Sequence, residues 1–287
     1  MNPNFFIVGV PKSGTTSIYN YLKSHQEVFM SKKKEINFFS NQEILSQNLY
    51  YNNSVCDSME NYLKHFINSE NYKVVGEASV SYLFYQNVAE KIYKFNNEAK
   101  ILIILRDPVM RAFSHYLMDY RLGYTKLGFS SIIRSNNSEK NQNLFFQQYV
   151  SVGMYYEQVK KYVDLFGKNV LILKYEDLIF NNNLFIKKIC DFLDINYYNI
   201  KTLNKSNIYK NANTFIMYFY QITFFRKFAN FCLSKFYKDK LSRLIFNYKK
   251  PKIHEEDFLF LRKYYYNDIC LLEKEIDVDL SNWKNEK

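Results

Sequence analysis

The sequence predicts an α/β fold: a central parallel β-sheet flanked by helices, with a helical C-terminal portion. Three observations predict it. Strand-like runs are each followed by a helical pattern, in the order a parallel sheet requires. Two of those runs, FFIVGV from Phe5 and ILIIL from Ile101, are almost continuously apolar, as interior strands buried on both faces must be. A glycine-containing turn, Gly9 to Ser17, joins the first strand to the first helix.

The elements follow in order. A strand over 4–10 leads into a helix over 15–23, and a strand over 72–76 into a helix over 81–95. A third strand over 100–105 precedes a helix over 109–122, where Asp107 suits the cap and Pro108 the first helical position. A helix over 154–166 stops at Gly167, and a strand over 169–175 feeds a helix over 182–193. Beyond Asp194 the pattern turns helical. It is clearest over 254–276, where Glu255, Glu256 and Asp257 complement a helix N-terminus. One domain over 1–287 is expected, with a parallel-sheet core in 1–200 and a basic, mainly helical part in 201–287.

Composition removes several classes. Of 287 residues, 47% are hydrophobic and 23% charged, which excludes a disordered chain, and 7 Gly with 4 Pro exclude a collagen-like one. The aromatic excess carries no functional weight. Cys56, Cys190, Cys232 and Cys270 lie far apart without zinc-type spacing, so a reduced compartment is expected. The apolar run at 5–8 is too short for a leader or a membrane span. A cytoplasmic protein is expected, with peripheral membrane contact through the basic segment as a further option.

The net charge of +11 is concentrated: residues 201–252 hold twelve Lys or Arg and one acid, Asp239. Such a segment attracts an anionic partner, an acidic glycan, a membrane surface or a polyphosphate. No nucleic-acid recognition motif accompanies it.

Two stretches carry chemistry. In Gly9-Val10-Pro11-Lys12-Ser13-Gly14-Thr15-Thr16-Ser17, loop and first-turn amides form a phosphate cradle, Lys12 adds positive charge, and Thr15 and Thr16 add hydroxyls. The glycine spacing makes the sheet P-loop-like, but Thr15 stands where an NTPase has lysine, which counts against an ATPase. The second stretch, Arg106 to Tyr116, places Arg106 at a strand's carboxyl end and Ser114 on the second helical turn, where both can meet one anion. His115 reads as helix surface.

Lys12-Ser13-Gly14-Thr15-Thr16, Arg106-Asp107-Pro108 and Ser114 together resemble the sulfotransferases that use 3′-phosphoadenosine 5′-phosphosulfate (PAPS), in the branch of glycosaminoglycan sulfotransferases and related bacterial enzymes. Lys34-Glu35-Ile36-Asn37-Phe38-Phe39, Gly76-Glu77-Ala78-Ser79 with Tyr82, Gly153-Met154-Tyr155, Lys174 to Leu178 and Asp279 to Trp283 extend the resemblance over most of the chain.

The resemblance implies that the loop from Lys12 to Ser17 holds the 5′-phosphosulfate, that Arg106 and Ser114 hold the 3′-phosphate, and that Glu35 is the general base. It implies that Lys12 steadies the departing phosphate of the product, adenosine 3′,5′-bisphosphate (PAP). No metal is required. The implied acceptor is a hydroxyl, or less favourably an amine, of a carbohydrate, polysaccharide or glycolipid. Ala78 stands where glycosaminoglycan enzymes carry a lysine, so heparan-like recognition is not implied. Lys249 and Lys250 loosely match a basic nucleotide loop. Two other readings stand beside this one: a P-loop-type kinase, favoured by the glycine spacing, and a non-catalytic basic module that binds a membrane or a glycan. Oligomeric state is not legible.

Overall fold

A computed structural model describes residues 2–49, 56–135, 140–198, 211–212, 246–247 and 251–285. Five parallel strands form one sheet: β1 (Phe5–Gly9), β2 (Val28–Met30), β3 (Val74–Ala78), β4 (Lys100–Leu105) and β5 (Val170–Lys174), in the order β2-β3-β1-β4-β5. Strand β1 pairs with β3 and β4 on its two sides, so β1 and β4 lie inside the sheet, as their apolar runs predict.

Alternation along the strands divides the interior into two cores. Phe6 and Val8 of β1 join Ile101, Ile103 and Leu105 of β4 on one face, while Phe5 and Ile7 join Leu102 and Ile104 on the other. Each face is covered by helices. Helix α1 (Thr15–Lys23) puts Ile18, Tyr19 and Leu22 onto the second face with Phe185, Ile186 and Ile189. Helices α2 (Val88–Phe95), α3 (Pro108–Leu122) and α4 (Tyr156–Phe166) cover the first. After β5 come α5 (Tyr175–Phe180) and α6 (Asn182–Leu193), and α7 (Glu255–Ile276) packs against α3 and α4.

Some boundaries differ from those expected. The predicted helix over 81–95 begins only at Val88, because 79–87 is a series of turns closed by Tyr82 N to Ser79 O and Val88 N to Tyr85 O. Edge strand β2 is three residues long, too short to show a period. Of the region expected to be mainly helical, Asn211–Ala212 and Phe246–Asn247 form a two-residue antiparallel pair, and the described helices are α7 and a short one over Ser281–Lys284. The remainder of 201–250, with Lys249, Lys250 and Cys232, lies outside the described residues.

Strands β1, β4 and β5 all point their carboxyl ends toward one rim. In an open α/β sheet that rim is where ligands bind.

Candidate active site

The rim carries a cavity of about 590 Å³. Its first wall is the turn from β1 into α1. Val10 N donates to Ile104 O (2.9 Å), and the buried Ser13 hydroxyl donates to Val10 O (2.7 Å), so the turn is pinned to β4 and to itself. Lys12 and Gly14 both have left-handed backbone, φ 74° and 82°. At Gly14 this is a packing requirement too: a Cβ would lie 2.9 Å from Leu178 Cδ2 and 3.1 Å from Tyr175 Cε2. Helix α1 starts on Gly14 with no side-chain cap; Ser17 N donates to Gly14 O (2.9 Å), and the N-terminal end of the helix faces the cavity that Thr15 and Thr16 line.

Arg106, at the end of β4, forms the second wall. Its Nη1 donates to the Lys12 carbonyl (2.7 Å), its guanidinium lies 4.7 Å from the centre of the Tyr175 ring, and its own carbonyl accepts from Tyr155 OH (2.9 Å). The next residue locks the strand-to-helix turn. Asp107 Oδ1 accepts from Val109 N (2.9 Å) and Met110 N (3.2 Å), while Oδ2 pairs with Arg262 Nη2 of α7 at 2.8 Å. Its amide donates to Glu176 Oε1 (3.1 Å), a carboxyl whose pKa burial raises. Ser114 and Met118, one turn apart on α3, complete this side, and Lys12 Nζ reaches Met118 Sδ at 3.2 Å.

Glu35 also lines the cavity. Its backbone is left-handed, φ 60°, a conformation that costs a non-glycine residue roughly 1–3 kcal/mol and persists only where neighbours impose it. They do so here: Glu35 N donates to Ala78 O (2.8 Å), Val80 N donates to Glu35 Oε2 (2.9 Å), and Oε1 is paired with Lys34. Behind it, Glu77 is fully buried, and burial pushes its carboxyl up to about 7.

Lys12, Gly14, Thr15, Thr16, Ser17, Glu35, Arg106 and Ser114 thus meet around a single cavity. Ser13 does not line it, since its hydroxyl is spent on Val10 O; only its backbone is available to the cradle. Lys249 and Lys250 lie outside the described residues. The reading of His115 as helix surface is corrected: it is buried beside Asp119, with Nδ1 3.1 Å from Gln148 O, and burial with the nearby Arg111 and Lys12 charges holds its pKa well below the usual value. The wall residues Val80, Met118, Ile179 and Asn182 are additions. Met118 was detectable at i+4 from Ser114. Ile179 and Asn182 reach the site through the fold alone. Among the described residues, no three His, Cys, Asp or Glu gather as a metal-binding group, and no helix is long and apolar enough to cross a membrane.

Comparison with known proteins gives the family and the fold. The family model described as "Sulfotransferase domain" matches residues 2–263. The chain is 38% identical over 117 residues to the membrane-associated sulfotransferase kil1 of Dictyostelium discoideum, a match covering 40% of this chain and 22% of that protein. It is 27% identical over 247 residues to carbohydrate sulfotransferase 15 of Rattus norvegicus, covering 67% and 44%. The chain therefore spans less than half the length of either relative. Among solved structures, a sulfotransferase from Alicyclobacillus acidocaldarius aligns with a TM-score of 0.73 at 27% identity, covering 99% of this chain and 100% of that one.

Proposed function

The chain belongs to the sulfotransferase domain family, and from that premise we propose that it transfers a sulfuryl group from PAPS to a hydroxyl of a carbohydrate, polysaccharide or glycolipid, with Glu35 as general base. The observation that carries the reading is the meeting of Lys12, Arg106 and Glu35 at one cavity. Two cations and a helix N-terminus that no side chain caps suit a ligand with phosphates at both ends.

The donor supplies an activated sulfuryl group; the chain's residues do the rest. The Lys12 loop and the α1 amides hold the 5′ end, and Arg106 with Ser114 holds the 3′-phosphate. Glu35 accepts the hydroxyl proton as the acceptor oxygen bonds sulfur. The bond from sulfur to the donor's phosphate oxygen breaks with its electron pair left on that oxygen, where Lys12 offsets the charge. The name of carbohydrate sulfotransferase 15 supports a sugar acceptor. Attraction of the basic 201–252 segment to an anionic membrane at the cytoplasmic face belongs to the same proposal and rests on charge alone.

Thermal melting with PAP, ADP and ATP tests the donor site. A ligand at a hundred times its Kd adds about 2.7 kcal/mol to stability, so PAP should raise the Tm by several degrees more than either competitor. Stabilisation by ATP with magnesium and none by PAP would favour the kinase reading. Transfer of labelled sulfate from PAPS to a glycan panel tests the reaction itself.

A further inference from the structure

Residues 35–40 run beside residues 77–82, joined by a succession of hydrogen bonds that the proposed chemistry does not itself use. Glu35 N donates to Ala78 O (2.8 Å), Asn37 N to Ser79 Oγ (3.1 Å) and Phe39 N to Tyr82 OH (3.4 Å). In the other direction Ser81 Oγ donates to Asn37 Oδ1 (2.8 Å) and Val80 N to Glu35 Oε2 (2.9 Å). Asn37 Nδ2 also donates to the Glu35 carbonyl (3.2 Å). Both Glu35 and Asn37 have left-handed backbone, φ 60° and 56°, and Asn37 is buried.

The order of donors matters. A serine hydroxyl has one proton, and Ser79 gives it to Glu77 Oε1 (2.8 Å), at a carboxyl with no solvent exposure. The hydroxyl's lone pairs then face the Asn37 amide. Glu77 therefore sets the direction of Ser79, and Ser79 sets the turn from which Glu35 projects. A buried carboxyl is costly and persists only where it is bonded; this one is bonded to the serine that holds the turn.

We infer that Asn37 and Ser79, oriented by the buried Glu77, are positioning residues that hold the Glu35 carboxylate at the cavity. The inference rests on the reading of Glu35 as base, and the test separates the two. Ser79→Ala deletes the link to Asn37 N. Asn37→Gly deletes the side-chain bonds while keeping a residue at ease with positive φ. PAP release from PAPS, with water or p-nitrophenyl glycosides as acceptor, reports kcat and donor KM; PAP-induced Tm shifts report donor binding.

Both variants should melt cooperatively, keep the PAP shift and donor KM, and lose kcat by about tenfold or more, since small misplacements of a catalytic group are amplified in rate. The double variant should lose little beyond the worse single one. Ser79→Thr, which keeps the hydroxyl, should recover most of kcat. Should Ser79→Ala fail to fold, Asn37→Gly carries the test. Turnover within twofold of the parent in the folded variants, with Glu35→Gln inactive, would overturn the positioning role and leave the base intact. Parallel loss of PAP binding and kcat would overturn it in favour of a general structural role. Turnover in Glu35→Gln would instead remove the base reading on which it rests.

Discussion

Arg106 donates a 2.7 Å hydrogen bond from Nη1 to the backbone carbonyl of Lys12, so the residue directly after β4 braces the loop that follows β1. The two stretches that look separate in the sequence are one unit. Tyr175 stacks on the Arg106 guanidinium and also packs where a Gly14 side chain would be, which draws the start of α5, directly after β5, into the same unit.

Arg106→Lys follows as the informative change. Lysine keeps the charge but loses the planar fork that reaches the Lys12 carbonyl and the Tyr175 ring together. PAP affinity should fall about tenfold or more, close to the loss in Arg106→Ala, as isothermal titration would show; near-parental affinity in the lysine variant would mean that charge alone matters.

Gly14→Ala forces a Cβ to within 2.9 Å of Leu178 at a φ of 82°. We expect a destabilisation of about 1–3 kcal/mol in urea melts, from strain and overpacking, together with weaker PAP binding. An unchanged midpoint would contradict the packing described for α5.

Glu35→Gln should remove turnover while leaving the PAP-induced Tm shift in place, since the proposed anion contacts belong to the Lys12 loop, Arg106 and Ser114 and not to the Glu35 carboxylate. A shift lost along with activity would place Glu35 in donor binding.

The buried Asp107–Arg262 pair ties the Arg106 turn to α7. Truncating Arg262 to Ala leaves a buried carboxylate without its cation, a change that costs about 3–5 kcal/mol in comparable cases. Chemical denaturation should show a loss of that order, and PAP binding should weaken as the turn loosens.

Stability should also depend on pH through Glu77. Its folded-state pKa, raised by burial to about 7, exceeds the ordinary 4.5, so the folded state holds the proton more tightly than the unfolded one. That contribution is fully present below about pH 4.5 and is lost as pH rises through about 7. Asp268, raised to about 6 by burial, slopes the same way at lower pH, so the comparison with Glu77→Gln isolates the Glu77 part. The difference should reach about 3 kcal/mol at most, at 1.36 kcal/mol per pKa unit. Parallel curves for the two proteins would place Glu77 in a more solvated setting.

Local chemistry was legible without a structure. The cradle rests on glycine spacing and a lysine in one short loop, and the Asp107 cap with Pro108 at the first helical position is a contact between residues two and three apart. His115 was misread because α3 has no simple stripe: residues 111, 112, 113, 115, 116 and 117 are all buried, since Lys140–Tyr149 and α7 pack on flanks that periodicity would leave to solvent.

From the order of residues alone came the alternating strands and helices, the two anion-binding stretches and their family resemblance, because each is written in neighbours or in short periods. Which of those stretches share a cavity was decided by the sheet. Parallel pairing of β1 with β4 and of β4 with β5 aligns their carboxyl ends, bringing Lys12, Arg106 and Tyr175 together across 163 residues of chain. The placement of Glu35 was decided in the same way, by hydrogen bonds to residues 78 and 80 that no local pattern encodes.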